Sequence, residues 1–312
     1  MSKFKRRVDP SRLTSATVDE HHWFRELLLR WRPSGVPSER TAAGKFASLR
    51  LAVRDGYLSF YCAGNQIAKV GCTYRSFYEE THHKYLDLPK QGTNSHIRVS
   101  PPSANAAEEL LTKRISGSFY KQGGEKDFVD EVVGLNPGIF DLELALSFLL
   151  PGKVRPSAYR LDAASLEPDA DGWRIALWEA KLAENSGARA LEIPATMAQH
   201  ATYTAWFAEN GNAEAFIEGC RASCRYLLQL HELAKYAGNT DIAPLHRSIV
   251  EIGTNPQAPL TLDADVRYLI DVRGPKGVSF IANGHDKKLR DIGIHVQVFG
   301  NGDKMILGMR GA

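Results

Sequence analysis

Three charged residues near the middle of the chain have the types and spacing needed to act together. Asp162 lies in SAYRLDAASL, and Glu179 follows seventeen residues later in WRIALWEAKL, two positions before Lys181. Each segment predicts a strand, and Pro-Asp-Ala-Asp-Gly at 168–172 predicts a tight turn between them. Because side chains alternate along a strand, Glu179 and Lys181 point to the same face. Pairing across this hairpin brings Asp162 beside Glu179, since facing residues lie about 5 Å apart.

Two carboxylates and one ammonium in otherwise apolar strands are suited to a divalent cation. Charges in such surroundings are costly unless they are paired or bound to metal. Mg²⁺ prefers oxygen ligands, keeps several waters and takes further ligands from phosphate, and Mn²⁺ can replace it. We therefore expect Asp162 and Glu179 to bind the ion, with the carbonyl of Ala180 as a third protein ligand. The ion would activate a water against a phosphodiester bond, and Lys181 would stabilise the developing charge.

A plainer interpretation of the same residues is a surface strand. Lys181 would then form a salt bridge with a neighbour, worth about 0–1 kcal/mol. The order of the surrounding elements favours the metal site over this alternative.

The spacing of these residues resembles that of the PD-(D/E)xK nuclease superfamily. Asp162 is followed by Glu179-Ala180-Lys181 on an adjacent strand, and the resemblance covers about residues 125–210. It implies an α/β fold, with a restriction-endonuclease-like core in which helices flank a central mixed sheet. Members include restriction enzymes, recombination exonucleases and phage-defence nucleases. The chain departs from the pattern in having Arg160-Leu161 where the family places a proline before the aspartate.

The resemblance also implies a third metal ligand. The family expects an acidic residue on a helix before the first metal strand. Glu143 in FDLELAL fits best, and Asp141 and Glu125 are competitors.

A Gln-x3-Tyr pattern links the chain to the exonuclease branch of the family. Gln199 and Tyr203 are four residues apart and therefore share one face of a predicted helix. By resemblance, Gln199 would orient the metal-bound water or Lys181, and Tyr203 would approach DNA. Arg189, in ENSGARA, is a further candidate for a phosphate contact, although it is equally typical of a solvated loop.

Histidine and cysteine residues elsewhere give weaker signals. His82-His83 and His21-His22 are adjacent pairs, which in a strand point to opposite faces and do not chelate a metal. His200 is expected on a helix surface, with general-base action as the alternative. Cys220 and Cys224 share a helix face, but no second pair with ligand spacing lies nearby. We expect core cysteines rather than a zinc site.

The elements needed to position these residues follow from apolar spacing and from Gly and Pro breaks. Helices are predicted at 21–31, from 103 onward, and at 125–133, 138–150, 194–209 and 212–237. Strands are predicted at 48–53, 57–62, 66–74, 157–166, 173–182, 246–252, 266–272, 277–283, 294–300 and 304–308. A loop or boundary is expected at 86–104. We therefore divide the chain into a β-rich recognition or partner module at 1–104 and a nuclease-like domain at 105–312 with a β-rich C-terminal extension.

Charge distribution indicates a polyanionic partner more clearly than the net charge of +3 does. Residues 1–50 contain eleven Lys and Arg against five Asp and Glu, whereas residues 121–150 contain two against six. A basic arm beside an acidic centre suits a protein that binds DNA and gathers carboxylates around a metal. A solvated basic tail is the alternative.

Other features limit the remaining classes of protein. The chain has no run of about 18 apolar residues, so we expect no membrane span and a cytoplasmic location. It has no Walker loop, so ATP-driven movement would need a protein partner such as a helicase or ATPase of the same system. Oligomeric state is left open.

The sequence thus predicts a Mg²⁺-dependent deoxyribonuclease of a phage-defence or restriction system. One alternative is a catalytically silent nuclease-like fold that binds nucleic acid or a partner protein. Another is an RNA-directed nuclease or toxin-like factor.

Overall fold

The computed structural model describes residues 4–18, 22–38, 48–89, 95–118, 124–148, 157–189 and 194–308. Its helices are α1 (Pro10–Val18), α2 (His22–Arg30), α3 (Ala104–Ser118), α4 (Glu125–Leu135), α5 (Ser186–Arg189), α6 (Pro194–Ala208), α7 (Asn212–Tyr236), α8 (Arg247–Thr254), α9 (Gly277–Ala282) and α10 (His285–Asp291). Its strands are β1 (Arg50–Val53), β2 (Tyr57–Cys62), β3 (Asn65–Thr73), β4 (Ser76–His82), β5 (His96–Val99), β6 (Ile139–Phe148), β7 (Ser157–Asp169), β8 (Gly172–Leu182), β9 (Leu260–Leu262), β10 (Arg267–Asp271) and β11 (Val296–Phe299). The protein is therefore α/β.

The chain forms two compact units. The first comprises Met1–Lys5, Gly138–Cys220 and Gln257–Ala312, and the second comprises Arg6–Pro137 and Arg221–Pro256. This division differs from the predicted boundary at 104, because residues 105–137 and part of α7 belong with the N-terminal sheet. We call the two parts the catalytic-candidate unit and the N-terminal unit.

The N-terminal unit is built on an antiparallel sheet in the order β1-β2-β3-β4-β5. The predicted hairpin of β1 and β2 is confirmed, and Gly56, with φ 82°, provides its turn. The predicted third strand and the helices at 22–30, 104–118 and 125–135 are confirmed as well. Helix α3 packs on α2 and on β3. Buried apolar side chains such as Leu58, Phe60 and Ile67 fill the core of this unit.

The catalytic-candidate unit has a six-stranded mixed sheet in the order β11-β10-β8-β7-β6, with β9 paired to β8. Strand β7 pairs antiparallel with both β6 and β8, whereas β10 runs parallel to β8 and β11. The predicted hairpin of β7 and β8 is confirmed, with Asp169 paired to Gly172 at its tip. Helix α6 packs on β6 and on α5.

The predicted helix at 138–150 is wrong, because residues 139–148 form strand β6. Leu142, Leu144, Leu146 and Phe148 alternate with smaller or polar residues, which is a period of two. Leu, Ala and Glu favour helices, but pairing along β7 outweighs that propensity.

Three predicted strands in the C-terminal part are also wrong. Residues 247–254 and 277–282 form helices α8 and α9, and residues 304–308 form no regular element. Short apolar runs do not separate strand from helix by periodicity, and tertiary packing decides between them. Within the described residues, no helix combines the length and apolar character needed to cross a membrane.

Candidate active site

The site begins where strands β7 and β8 stop pairing with each other. Their ladder runs from Asp169↔Gly172 to Ala163↔Trp178. Beyond that point β7 continues along β6, while β8 continues along β10. Asp162 is the next residue of β7, and its Oδ2 accepts a hydrogen bond from the backbone amide of Ala180 at 2.7 Å. A side-chain carboxylate thus occupies the position where a backbone carbonyl would continue the ladder.

The register places three acidic residues in one row across three strands. Asp162 lies one residue beyond the last pair, Ala163↔Trp178, so strand alternation puts its side chain on the same face as that of Glu179 on β8. On its other side, Glu143 of β6 lies between the pairs Leu142↔Ala163 and Leu144↔Leu161, opposite Asp162. Glu143 has φ 49°, so the β6 backbone is irregular there, and its carboxylate lies 3.5 Å from the guanidinium of Arg160. Glu143 therefore shares the row, but on a strand rather than on the expected helix.

Helix α6 places two polar side chains against Glu179. Gln199 Nε2 donates to Glu179 Oε1 at 2.7 Å and lies 2.8 Å from the hydroxyl of Tyr203. The Tyr203 hydroxyl lies 3.1 Å from Glu179 Oε2 and 3.0 Å from the carbonyl oxygen of Arg160. The Gln-x3-Tyr pattern therefore joins α6 to both separating strands.

Tyr203 does not occupy a position from which it could contact DNA. Its side chain is 0% exposed, because it fills the space between α6 and the two strands. The expected approach to DNA is thus replaced by a structural contact with Glu179. Gln199 bonds to Glu179, and its expected role in orienting the metal-bound water or Lys181 stays a prediction.

Lys181 brings the positive charge to the site. Its Nζ donates to Glu179 Oε1 at 2.5 Å and to the Ala180 carbonyl at 3.0 Å. The lysine side chain is 12% exposed and that of Glu179 is 4% exposed. The predicted same-face arrangement of Glu179 and Lys181 is therefore present as a shielded ion pair.

Burial controls the protonation of the site. Desolvation raises the pKa of Glu179, while the charge of Lys181 and the hydrogen bonds from Lys181, Gln199 and Tyr203 oppose that rise. Burial also raises the pKa of Tyr203, and the negative charge of Glu179 adds to the effect. Tyr203 therefore stays a neutral hydroxyl.

Tyr268 is a site residue that sequence reasoning missed. It pairs with Glu179 in the register of β10 and β8, so both side chains lie on one face of the sheet. Tyr268 is 0% exposed, and its hydroxyl has no hydrogen-bond partner among the described residues. Burial, and then the charges of Glu179 and Asp162, raise its pKa. Its segment, VRYLIDV, signals a buried strand and gives no sign of a polar role.

His200 borders the same place from α6. Its ring centroid lies 6.2 Å from that of Tyr268, and its Nε2 lies 3.3 Å from Oδ1 of Asp265. The side chain is 20% exposed. His200 is therefore partly shielded and paired with a carboxylate, rather than lying on an open helix surface as expected.

A metal ion fits the chemistry of these donors, although the three acidic residues do not form a closed cage. Among the described residues, no group of three His, Cys, Asp or Glu side chains is close enough to hold a metal ion. Mg²⁺ is usually bound through one or two carboxylates, with waters and phosphate completing its shell. Asp162, Glu179 and the Ala180 carbonyl supply such donors. The unpartnered Tyr268 hydroxyl beside them is a polar group that a water of the ion would satisfy.

The remaining acidic candidates lie away from this row. Asp141 is buried on β6, and its Oδ1 accepts from the backbone amide of Leu142. Glu125 begins α4 and belongs to the N-terminal unit. Arg189 is half-buried at the end of α5, with Nη2 3.4 Å from Ser279 Oγ, and its phosphate contact stays a prediction.

The histidine pair on β4 differs from expectation. His82 ends the strand and His83 begins a 3-10 helix, so the two rings stack with centroids 4.6 Å apart instead of facing opposite ways. The four cysteines are free and buried, as expected of core residues. His21 and residues 39–47 of the basic arm lie outside the described part of the chain.

Comparison of the chain with known family models, curated proteins and solved structures gave no match.

Proposed function

We propose that the protein is a metal-dependent nuclease that hydrolyses phosphodiester bonds in DNA, on a restriction-endonuclease-like core. The observation that carries the proposal is the meeting of Asp162, Glu179 and Lys181 where β7 and β8 separate. Gln199 on α6 supports the same point through Glu179. Burying the Glu179 carboxylate is costly, and a bound cation would offset that cost.

Asp162 and Glu179 would hold a Mg²⁺ or Mn²⁺ ion together with the Ala180 carbonyl. Glu143 lies in the same row and would contribute through a water. When bound, the ion supplies Lewis-acid polarisation of the phosphate and lowers the pKa of a water.

The residues of the chain orient the remaining groups. Gln199 and Tyr203 hold the Glu179 carboxylate in place through both of its oxygens. Lys181 keeps an ammonium beside the carboxylates, where it can offset negative charge on an attacked phosphate. Arg189 is the candidate for a second phosphate contact.

A silent nuclease-like fold that binds nucleic acid or a partner protein is the second candidate. One observation favours it: both oxygens of Glu179 already have protein donors, namely Lys181 and Gln199 on Oε1 and Tyr203 on Oε2. These donors fill three of the roughly four lone-pair positions of the carboxylate and leave one, on Oε2, for an ion. If that buried position cannot admit an ion, the arrangement is purely structural.

The biological setting follows from the resemblance. We place the nuclease in a phage-defence or restriction system, with DNA as substrate and a helicase or ATPase as protein partner. The excess of Lys and Arg in residues 1–50 supports a polyanionic substrate. RNA is the substrate to compare with DNA.

The test is a cleavage assay with purified protein that comprises residues 1–312. Supercoiled plasmid, linear duplex, single-stranded DNA and RNA are each incubated with Mg²⁺, with Mn²⁺, and with a chelator. We expect DNA cleavage that requires the metal and stops with the chelator. Tight DNA binding with no cleavage under any condition would favour the silent fold, and cleavage of RNA alone would reassign the substrate.

A further inference from the structure

A buried hydroxyl lies beside the two candidate metal ligands without a protein partner. Tyr268 is 0% exposed, and its hydroxyl makes no hydrogen bond within the described part of the chain. A buried hydroxyl without a partner costs about as much free energy as a lost hydrogen bond. Phenylalanine would pack equally well without that cost, so the hydroxyl indicates a polar ligand.

The position of Tyr268 shows where that ligand must lie. Tyr268 is directly beside Glu179 in the parallel register of β10 and β8, and Asp162 is the first residue of β7 beyond the last pair with β8, Ala163↔Trp178. The three side chains therefore share one face of the sheet. The His200 ring borders the tyrosine from α6. Two carboxylates and an imidazole, which are groups that bind water, thus lie on the same side of the sheet as the Tyr268 ring.

We propose that Tyr268 is a positioning residue whose hydroxyl donates a hydrogen bond to a water molecule held beside Asp162 and Glu179. The water accepts one hydrogen bond from Tyr268 and donates two toward the carboxylates. This leaves one lone pair of the water oxygen free of protein contacts, and a bound metal ion would take it. Such an arrangement fixes both the place and the orientation of a nucleophile.

The protonation of Tyr268 agrees with a donor role. A phenol has an ordinary pKa of about 10, so Tyr268 keeps its hydrogen at neutral pH. A carboxylate pair and a phenolate side by side would repel each other. The hydroxyl therefore complements the two acidic residues only as a donor.

The role of this water in cleavage rests on the proposed function, whereas the existence of the water does not. Two measurements test the existence of the water and its role in cleavage separately. The first is a crystal structure of the wild-type protein at a resolution that shows ordered waters. The second compares kcat and KM for DNA cleavage in the wild type, in Tyr268→Phe and in the control Tyr85→Phe, which alters a buried tyrosine of the N-terminal unit.

We expect an ordered water within hydrogen-bond distance of Tyr268 Oη. We also expect Tyr268→Phe to lower kcat by roughly tenfold or more, with KM within about twofold of wild type. Tyr85→Phe should match wild type in both constants. A thermal unfolding midpoint close to wild type would show that Tyr268→Phe keeps the fold.

An ordered side chain with no water at Oη would overturn the inference, as would a Tyr268→Phe variant that cleaves as fast as Tyr85→Phe. If the wild-type protein cleaves no DNA, the proposed function fails, and the crystal structure alone decides the water position. If Tyr268→Phe does not fold, the electron density of the wild-type crystal likewise decides whether a water lies at Tyr268 Oη.

Discussion

The carboxylate of Asp162 accepts a hydrogen bond from the backbone amide of Ala180 at 2.7 Å, at the point where β7 and β8 separate. One residue thus fixes the end of the hairpin and presents a charge beside Glu179. The point at which β7 and β8 separate and the position of the candidate metal ligands thus both depend on Asp162. Asp162 is therefore the residue at which structure and function can be separated experimentally.

Replacing Asp162 with Asn tests this double role. Asn retains an oxygen that can accept from the Ala180 amide, so we expect the free energy of unfolding to change by less than about 1 kcal/mol. Loss of the negative charge should weaken metal binding and change the position of the bound ion. We therefore expect DNA cleavage to fall by about 100-fold or more. Asp171→Asn, at the exposed hairpin tip, is the matched control. Loss of activity only in proportion to loss of folded protein would argue against a ligand role.

Gln199→Ala removes a donor from Glu179 without touching the charged residues. We expect cleavage and Mn²⁺ affinity to fall by roughly 10- to 100-fold, the usual effect of losing a partner that orients a metal ligand. Initial rates and calorimetric titration with Mn²⁺ measure the two effects. Gln229→Ala, on α7, is the control. Unchanged Mn²⁺ affinity in Gln199→Ala would mean that Glu179 needs no help from α6.

A buried ionic cluster on the opposite face of the same sheet should govern stability rather than activity. Arg267 is 0% exposed, and it bonds to Glu167 at 2.8 and 3.0 Å and to Asp263 at 2.9 Å. Arg267→Ala removes the buried cation to which both carboxylates bond, so we expect a loss of about 3–5 kcal/mol in the free energy of unfolding. Urea denaturation followed by circular dichroism measures this.

The control for this cluster is Lys235→Ala, since Lys235 forms an exposed ion pair with Glu232 at 2.9 Å on α7. It should change the free energy of unfolding by about 0–1 kcal/mol. Equal losses in the two variants would contradict the assigned importance of the buried cluster.

The four cysteines provide a test of the core. All four thiols are buried, and desolvation raises the pKa of Cys72 to about 11. The thiolate is the reactive form, so native protein should react very slowly with a disulfide reagent at pH 8, and faster as the pH rises toward 11. Denatured protein should react at all four thiols. Rapid labelling of native protein, or a stoichiometric zinc content, would contradict a plain core role.

Much of the fold could be predicted where the local pattern was strong. The hairpin of β7 and β8 follows from two apolar runs around the turn at 168–172, and this fixed the relation of Asp162 to Glu179. The spacing of Gln199 and Tyr203 likewise placed both on one face of α6. Both relations join residues that belong to one hairpin or one helix, so local backbone geometry determines them.

The features that the sequence did not predict depend on contacts between residues that are distant in the chain. Strand β6 is held by its ladder with β7, which helix propensity in FDLELAL obscured, so Glu143 was assigned to the wrong type of element. Tyr268 reaches the site through a parallel pairing with β8 that no local spacing reveals. The burial of Tyr203 depends on how α6 packs, which also lies beyond sequence periodicity.

The most direct test of the central claim compares single-turnover DNA cleavage by wild type, Lys181→Ala and Lys287→Ala, the last an exposed lysine of α10. With Mg²⁺ or Mn²⁺ present, we predict that Lys181→Ala cleaves at least about 100-fold more slowly than wild type. Lys287→Ala should match wild type. Equal cleavage by the three proteins, purified in parallel, would contradict a nuclease site at Asp162, Glu179 and Lys181.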